Sequence, residues 1–227
     1  MAFEATAAAM SRAVPGRGRD DSTLVTGRLF AVADGADLGA GAGARALAEL
    51  GRFVGAYPTA RRLARALGAV NFALWQGDDG GGALRSTVTA AVLSGSVLAL
   101  AHLGDSRAYL VRGGDLYQLT SDDKWAAPGP GTDHEGVQRL GARPPAGTPR
   151  VRRYLLVDGD RLILCTDGIW RHLERDDFIR AGALEPGAAC QLLCQQPAPS
   201  EEEASVVVVA FREAPARPPS TAQERTR

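Results

Sequence analysis

Four short apolar runs follow one another between residues 86 and 119, and this succession constrains the fold more than any other feature of the chain. The runs cover 86–93, 97–103, 107–112 and 115–119, with only two or three residues between consecutive runs. Connections of this length can join antiparallel strands, whereas parallel strands need a crossover of a dozen or more residues. The segment therefore predicts a succession of antiparallel strands.

The rest of the chain alternates between further strand patterns and helix patterns. Strands are predicted at 3–10, 22–25, 28–34, 151–157, 161–166 and 204–211. Helices are predicted around Leu47, Leu50 and Val54, from the N-cap residue Thr59 to Leu74, and near 174–181 and 187–195. This order of elements favours antiparallel sheets that pack face to face, with the helices outside them.

Composition excludes several classes of function. The 26 basic and 26 acidic residues cancel, so the charge pattern predicts no partner among nucleic acids or anionic membranes. We find neither a secretory signal in the first 18 residues nor an apolar run that could span a bilayer. The chain has three cysteines, and their spacings suit neither a disulfide framework nor a zinc ribbon. This favours a reducing, cytoplasmic setting. We expect one domain over residues 1–213 and a disordered tail over 214–227.

Carboxylates stand where the predicted strands end or begin. Asp34, Asp105 and Asp167 each follow a strand within two residues, and Glu202 and Glu203 directly precede the last one. Acidic groups that converge on one end of a sandwich repel one another unless cations lie between them. Ligands that are all oxygens favour a hard ion, magnesium or manganese. The alternative is that these residues form ordinary solvated turns, for which Asp-Gly is a common dipeptide.

Five motifs resemble, in order, those of the metal-dependent protein serine/threonine phosphatases, the PPM or type 2C family. They are "LFAVADG", "LRSTVTAAVL", "LALAHLGDSRAYLVRGGDLYQLTSDD", "DRLILCTDGIW" and "EEASVVVV", and the resemblance covers roughly residues 3–212. It implies an α+β fold, a four-layer αββα sandwich of two antiparallel sheets flanked by helices. The flap between "LTSDD" and "VQRLGA" is shortened relative to the family.

The resemblance also implies a centre of two Mg²⁺ or Mn²⁺ ions between the sheets. Asp34 would bridge both ions, and the Gly35 carbonyl would bind the first. Asp167 and Glu202 would bind the second, and Asp105 stands where bacterial relatives hold a third, weaker ion. Such a pair of cations can activate a shared water for attack on a phosphate ester.

The N-terminal motif "PGRGRDDS" departs from the family pattern "G..R..NED". Within it, Arg17 is the candidate that would bind the substrate phosphate, and Arg19 is the alternative. Asp20 or Asp21 would orient a metal-bound water. A solvated run of charges in a loop is the competing interpretation of this motif.

The sequence therefore predicts a monomeric, cytoplasmic phosphatase that acts in signalling on phosphoserine and phosphothreonine of proteins phosphorylated by a serine/threonine kinase. The alternative is a pseudophosphatase, a module that binds a phosphoprotein or another partner without hydrolysis. Three departures from the family pattern support this alternative, namely Asp20-Asp21 in place of Glu-Asp, Glu202-Glu203 in place of Asp-Asn and Arg85 in place of a glycine.

Overall fold

The computed structural model of the protein describes residues 1–14, 20–36, 41–56, 58–77, 84–124, 136–142, 149–195 and 202–215. Twelve strands and five helices lie within these ranges. The strands are β1 (Phe3–Arg12), β2 (Ser22–Val25), β3 (Leu29–Ala33), β4 (Gly35–Ala36), β5 (Arg85–Ser86), β6 (Val88–Ser94), β7 (Val97–Leu103), β8 (Arg107–Arg112), β9 (Asp115–Gln118), β10 (Arg150–Leu155), β11 (Arg161–Cys165) and β12 (Ala204–Glu213). The helices are α1 (Ala42–Val54), α2 (Ala60–Gln76), α3 (Asp167–Trp170), α4 (Arg175–Gly182) and α5 (Pro186–Cys194).

Ten of the strands form two five-stranded antiparallel sheets that pack face to face. One sheet has the order β1-β12-β11-β8-β9 and the other the order β10-β7-β6-β3-β2, while β4 and β5 pair separately. Helices α1 and α2 share an apolar cluster with the β6 sheet, and α4 and α5 share one with the β12 sheet. The predicted α+β fold, a four-layer αββα sandwich, is confirmed.

Successive side chains of one strand point to opposite faces of its sheet, and this divides the core into three layers. On β3, Phe30 and Val32 point into the cluster between the sheets, whereas Ala31 points to the helix layer and packs in the same cluster as Leu50. The Phe30 ring meets Phe211 of β12 edge-on, with 6.4 Å between the ring centroids. Because both faces of each central strand are covered, these strands are apolar throughout rather than at alternate positions.

The helix and strand limits differ from the predicted ones at two places near the site. The strand predicted from residue 86 begins at Val88, because Arg85–Ser86 pairs instead with Gly35–Ala36. The segment Asp167–Trp170 forms α3, which the sequence analysis did not predict. A single helical turn is too short to show a 3.6-residue periodicity.

The three cysteines pack in the interior. Cys165, Cys190 and Cys194 are free and buried. Burial raises the pKa of Cys190 to about 12 and that of Cys194 to about 11. These thiols therefore stay protonated at neutral pH.

Two predictions concern segments that the structure does not describe. The shortened flap falls on 125–135, and most of the tail predicted over 214–227 lies beyond residue 215, so both lie outside the described residues. The described part of the last strand ends at Glu213. Among the described residues, none of the helices combines the length and apolar character that crossing a bilayer requires.

Candidate metal centre and active site

Strand direction brings the predicted carboxylates to one edge of the sandwich. Strands β3 and β7 both run antiparallel to β6, so their C-terminal ends, which lead to Asp34 and Asp105, lie at the same edge. Strand β2 is antiparallel to β3, and its start places Asp21 there as well. In the other sheet, the end of β11 and the start of β12 bring Asp167 and Glu203 together.

Asp34 is fixed by Thr87, the residue between β5 and β6. Its N–H donates to Thr87 Oγ1 over 3.0 Å, and its carbonyl accepts from the Thr87 N–H over 2.8 Å. The next residue, Gly35, donates its N–H to the Asp20 carbonyl over 3.1 Å. A Cβ at Gly35 would lie 2.9 Å from that carbonyl oxygen. The Asp-Gly pair is therefore needed for close packing of two loops, in addition to any turn preference.

Asp21 connects the two sheets at this edge. It is only 6% exposed, and its Oδ2 accepts from the Thr166 hydroxyl over 2.6 Å. The Glu203 carboxylate accepts from the backbone N–H groups of both Asp20 and Asp21, each over 2.9 Å. These bonds hold the acidic N-terminal motif against the start of β12.

Asp167 begins helix α3 directly after β11. Its Oδ1 accepts from the Gly168 N–H over 2.9 Å, and its Oδ2 lies 3.0 Å from Arg171 Nη2. A Cβ at Gly168 would lie 1.8 Å from the Glu203 carbonyl oxygen, so this position accepts only glycine without a shift of the backbone. The second Asp-Gly pair thus also depends on close packing of two backbone segments.

Asp105 lies deepest among these carboxylates. It is 3% exposed, and its Oδ1 is buried with no hydrogen-bond partner among the described residues. Its Oδ2 lies 3.6 Å from Arg171 Nη2, and its carbonyl accepts from Trp170 Nε1 over 2.9 Å. Both partners come from the segment that carries Asp167.

Arg139 is a buried cation on Asp34. It is 8% exposed, and its Nη1 lies 3.0 Å from both the carbonyl oxygen and Oδ2 of Asp34. A buried guanidinium requires such partners because its charge is costly to remove from water. The contact fixes the orientation of the carboxylate that the family resemblance assigns to both ions.

The pKa shifts show that these carboxylates act on one another. The pKa of Asp21 is raised well above its ordinary value, first by burial and then by the charge of Asp34. Burial and Asp34 also raise the pKa of Asp167, and burial and Asp167 raise that of Asp105 to about 6. The pKa of Asp20 is raised mainly by burial. A bound cation would relieve this repulsion and lower these pKa values.

The residues at this edge suit hard divalent cations in their chemistry. Their donor atoms are carboxylate and carbonyl oxygens, which magnesium and manganese prefer. Among the described residues, no group of three or more His, Cys, Asp or Glu side chains is arranged to hold an ion by itself. Since Mg²⁺ commonly binds through one or two carboxylates and several waters, an ion at this edge would not require a cluster of three such side chains.

The predicted ligand Glu202 has a different partner in this structure. Its Oε2 lies 2.6 Å from His172 Nε2, and its side chain is 37% exposed. Its assignment as a ligand stays a prediction. The predicted phosphate-binding residue Arg17 and its alternative Arg19 lie outside the described residues.

Arg107 pairs with a carboxylate near the turn after β7. Its Nε and Nη2 donate to the two oxygens of Asp122 over 3.0 and 2.9 Å. Its guanidinium carbon stacks 3.4 Å from the centroid of the Trp170 ring. Arg107 therefore supports Trp170, which in turn binds the Asp105 carbonyl.

Sequence reasoning missed the contacts of four residues. Arg139, Trp170 and Arg171 had no assigned role, and Glu203 was considered as a strand-end carboxylate and as the loss of an asparagine, without its contacts to Asp20 and Asp21. One signal for Arg139 is a single charge in the short element "VQRLGA" between two loops. Arg171 lies four residues after Asp167, a spacing typical of an ion pair on a helical turn. The contacts of Trp170 and Glu203 cross from one loop to another and have no local pattern.

Comparison with known sequences relates the chain to phosphatases. The family profile described as Protein phosphatase 2C matches residues 11–191. The serine/threonine protein phosphatase PstP of Mycobacterium tuberculosis is 37% identical over 95 residues, covering 37% of this chain and 18% of PstP. Probable protein phosphatase 2C 41 of Oryza sativa subsp. japonica is 28% identical over 160 residues, covering 56% of this chain and 55% of that protein. The chain thus covers less than two thirds of either relative.

Solved structures share the fold over nearly the whole chain. The catalytic domain of PstP in complex with two manganese ions has a TM-score of 0.78 and 24% identity, covering 93% of this chain and 100% of that one. The PPM Ser-Thr phosphatase MsPP of Mycobacterium smegmatis, in complex with cacodylate, has a TM-score of 0.74 and 26% identity. The match covers 90% of this chain and 97% of that one.

Proposed function

This chain belongs to the protein phosphatase 2C family, and we propose that it is a serine/threonine protein phosphatase that uses two Mg²⁺ or Mn²⁺ ions. The family membership confirms the resemblance that its motifs predicted. The observation that carries the proposal is the convergence of Asp21, Asp34 and Asp167 at one edge of the sandwich. Each of the pKa shifts of Asp21 and Asp167 includes the charge of Asp34, as expected for groups that share one site.

Asp34, Asp167 and Glu202 are the proposed ligands, together with the carbonyl of Gly35. Bound there, two divalent cations would supply Lewis-acid activation of a water and neutralise charge on the phosphate. The two manganese ions described for PstP support this number of ions. Glu202 would have to exchange His172 for an ion in order to take part.

Other residues of the site would orient the ligand Asp34 and the attacking water, or bind the substrate phosphate. Arg139 donates to the carboxylate and to the carbonyl of Asp34, each over 3.0 Å, and Glu203 fixes the backbone of Asp21. Asp21, or its neighbour Asp20, would accept a hydrogen bond from the attacking water. Arg17 or Arg19 would bind the phosphate in the bidentate manner that a guanidinium permits.

The proposed substrate is a protein that carries phosphoserine or phosphothreonine, placed there by a serine/threonine kinase. We further propose that the protein acts in signalling as a cytoplasmic monomer. The name of PstP supports phosphoserine and phosphothreonine as substrates, and the name of the rice relative supports a phosphoprotein substrate.

The test is the release of phosphate from a phosphothreonine peptide in the presence of MnCl₂. We expect turnover by the wild type and a loss of at least about 100-fold in Asp34→Asn and in Asp167→Asn, because each substitution removes a charged ligand. Asp115→Asn is the matched control, since that side chain is 68% exposed and lies on β9. Undiminished turnover in Asp34→Asn would contradict the assignment. Binding of manganese by a wild type that releases no phosphate would make the chain a binding module instead.

A further inference from the structure

We propose that the guanidinium of Arg171 takes the place of a third cation between Asp105 and Asp167. The only divalent cations of the site would then be the two ions proposed to bind beside Asp34. The inference deepens the proposed function and rests on it for the role of the other two ions. It is an alternative to the expectation from sequence that Asp105 holds a third, weaker ion, which stays a prediction.

The first support is the position of the charged group. Arg171 Nη2 lies 3.0 Å from Asp167 Oδ2 and 3.6 Å from Asp105 Oδ2. One cationic nitrogen thus contacts both carboxylates that a third ion would have to share. Arginine keeps its charge at any pH at which the protein is folded.

The second support is the backbone that carries Arg171. Its N–H donates to the Asp167 carbonyl over 3.0 Å at the end of α3, so the cation and one of its carboxylates are separated by a single helical turn. The preceding residue, Trp170, donates from Nε1 to the Asp105 carbonyl over 2.9 Å. The same segment therefore fixes both carboxylates and the guanidinium between them.

The third support is electrostatic. Arg171 Nη2 contacts the carboxylates of Asp105 and Asp167 at 3.6 and 3.0 Å, so its positive charge attracts both of them. The repulsion that would otherwise favour an ion between these two groups is already reduced by a group of the chain itself. A divalent cation that entered there would have to displace the guanidinium or lie beside it.

The experiment is a count of manganese sites by anomalous diffraction from crystals soaked in MnCl₂. We expect the wild type and Arg175→Ala to show no manganese between Asp105 and Asp167, and we expect Arg171→Ala to gain an ion there. Arg175 is a suitable control because it is exposed and lies four residues further along the chain, at the start of α4.

Two results would overturn the inference. The first is manganese between Asp105 and Asp167 in the wild type, with the guanidinium moved aside. The second is the absence of an ion at that position in Arg171→Ala crystals. The proposed function is judged separately, by the peaks beside Asp34, so that wild-type crystals with no manganese there would count against the function and not against the role of Arg171.

Discussion

Replacing Asp105 with asparagine should stabilise the metal-free protein at neutral and alkaline pH. Burial, followed by the charge of Asp167, raises the pKa of Asp105 from its ordinary value of 3.8 to about 6. Between these values the folded protein binds more protons than the unfolded chain, so the free energy of unfolding falls as pH rises from about 4 to about 6. Above about pH 6 the ionised Asp105 carboxylate lowers the free energy of unfolding by its full amount. For a pKa shift of this size, this penalty is about 3 kcal/mol.

Asp105→Asn keeps the shape of the side chain and cannot ionise, so it should avoid this penalty. Urea unfolding in EDTA at pH 8 should give the variant a free energy of unfolding higher than that of the wild type by up to about 3 kcal/mol. At pH 4.5 linkage reduces the difference to about 1 kcal/mol. Asp115→Asn, on an exposed side chain, should stay within about 0.5 kcal/mol of the wild type at both pH values. An Asp105→Asn variant that is no more stable than the wild type at pH 8 would refute the reasoning.

Two further substitutions test the packing around the carboxylates. Glu203→Ala removes an acceptor that binds two backbone N–H groups, and should lower the free energy of unfolding by about 2–3 kcal/mol, whereas Glu203→Gln, which retains an acceptor oxygen, should lower it less. Equal losses in the two variants, measured by urea unfolding, would exclude this role for the carboxylate. Gly168→Ala would place a Cβ 1.8 Å from a backbone carbonyl and should lower the melting temperature strongly, while Gly187→Ala, with no atom within 4 Å, should leave it nearly unchanged. Similar melting temperatures for these two alanine variants would contradict the close packing of Gly168 against the Glu203 carbonyl.

The strands and the placement of the main carboxylates could be predicted from the sequence. Short turns between apolar runs determine antiparallel pairing, and in such a sheet the ends of alternate strands lie at one edge. The Asp-Gly pairs follow β3 and β11 within two residues, as the strand patterns predicted. The N-cap at Thr59 was also correct, since its side chain accepts from the Arg62 N–H over 3.2 Å.

The contacts that complete the site could not be predicted in the same way. Glu203 and Asp21 lie 182 positions apart in the chain, and Arg139 and Asp34 lie 105 apart. Such contacts depend on how loops from two sheets meet, which no local periodicity encodes. The contact of Arg171 with Asp105, 66 positions away, is equally non-local, whereas its i,i+4 spacing to Asp167 is a local signal that the sequence analysis did not use.

Calorimetric titration of the metal-free protein with MnCl₂ at pH 7.5 tests most directly whether the convergent carboxylates form a metal centre. We expect the wild type to bind manganese with measurable heat, and we expect Asp34→Asn to lose most of this binding because it lacks the charge that both proposed ions would share. A wild type that takes up no manganese, or an Asp34→Asn variant that binds it as the wild type does, would contradict the account.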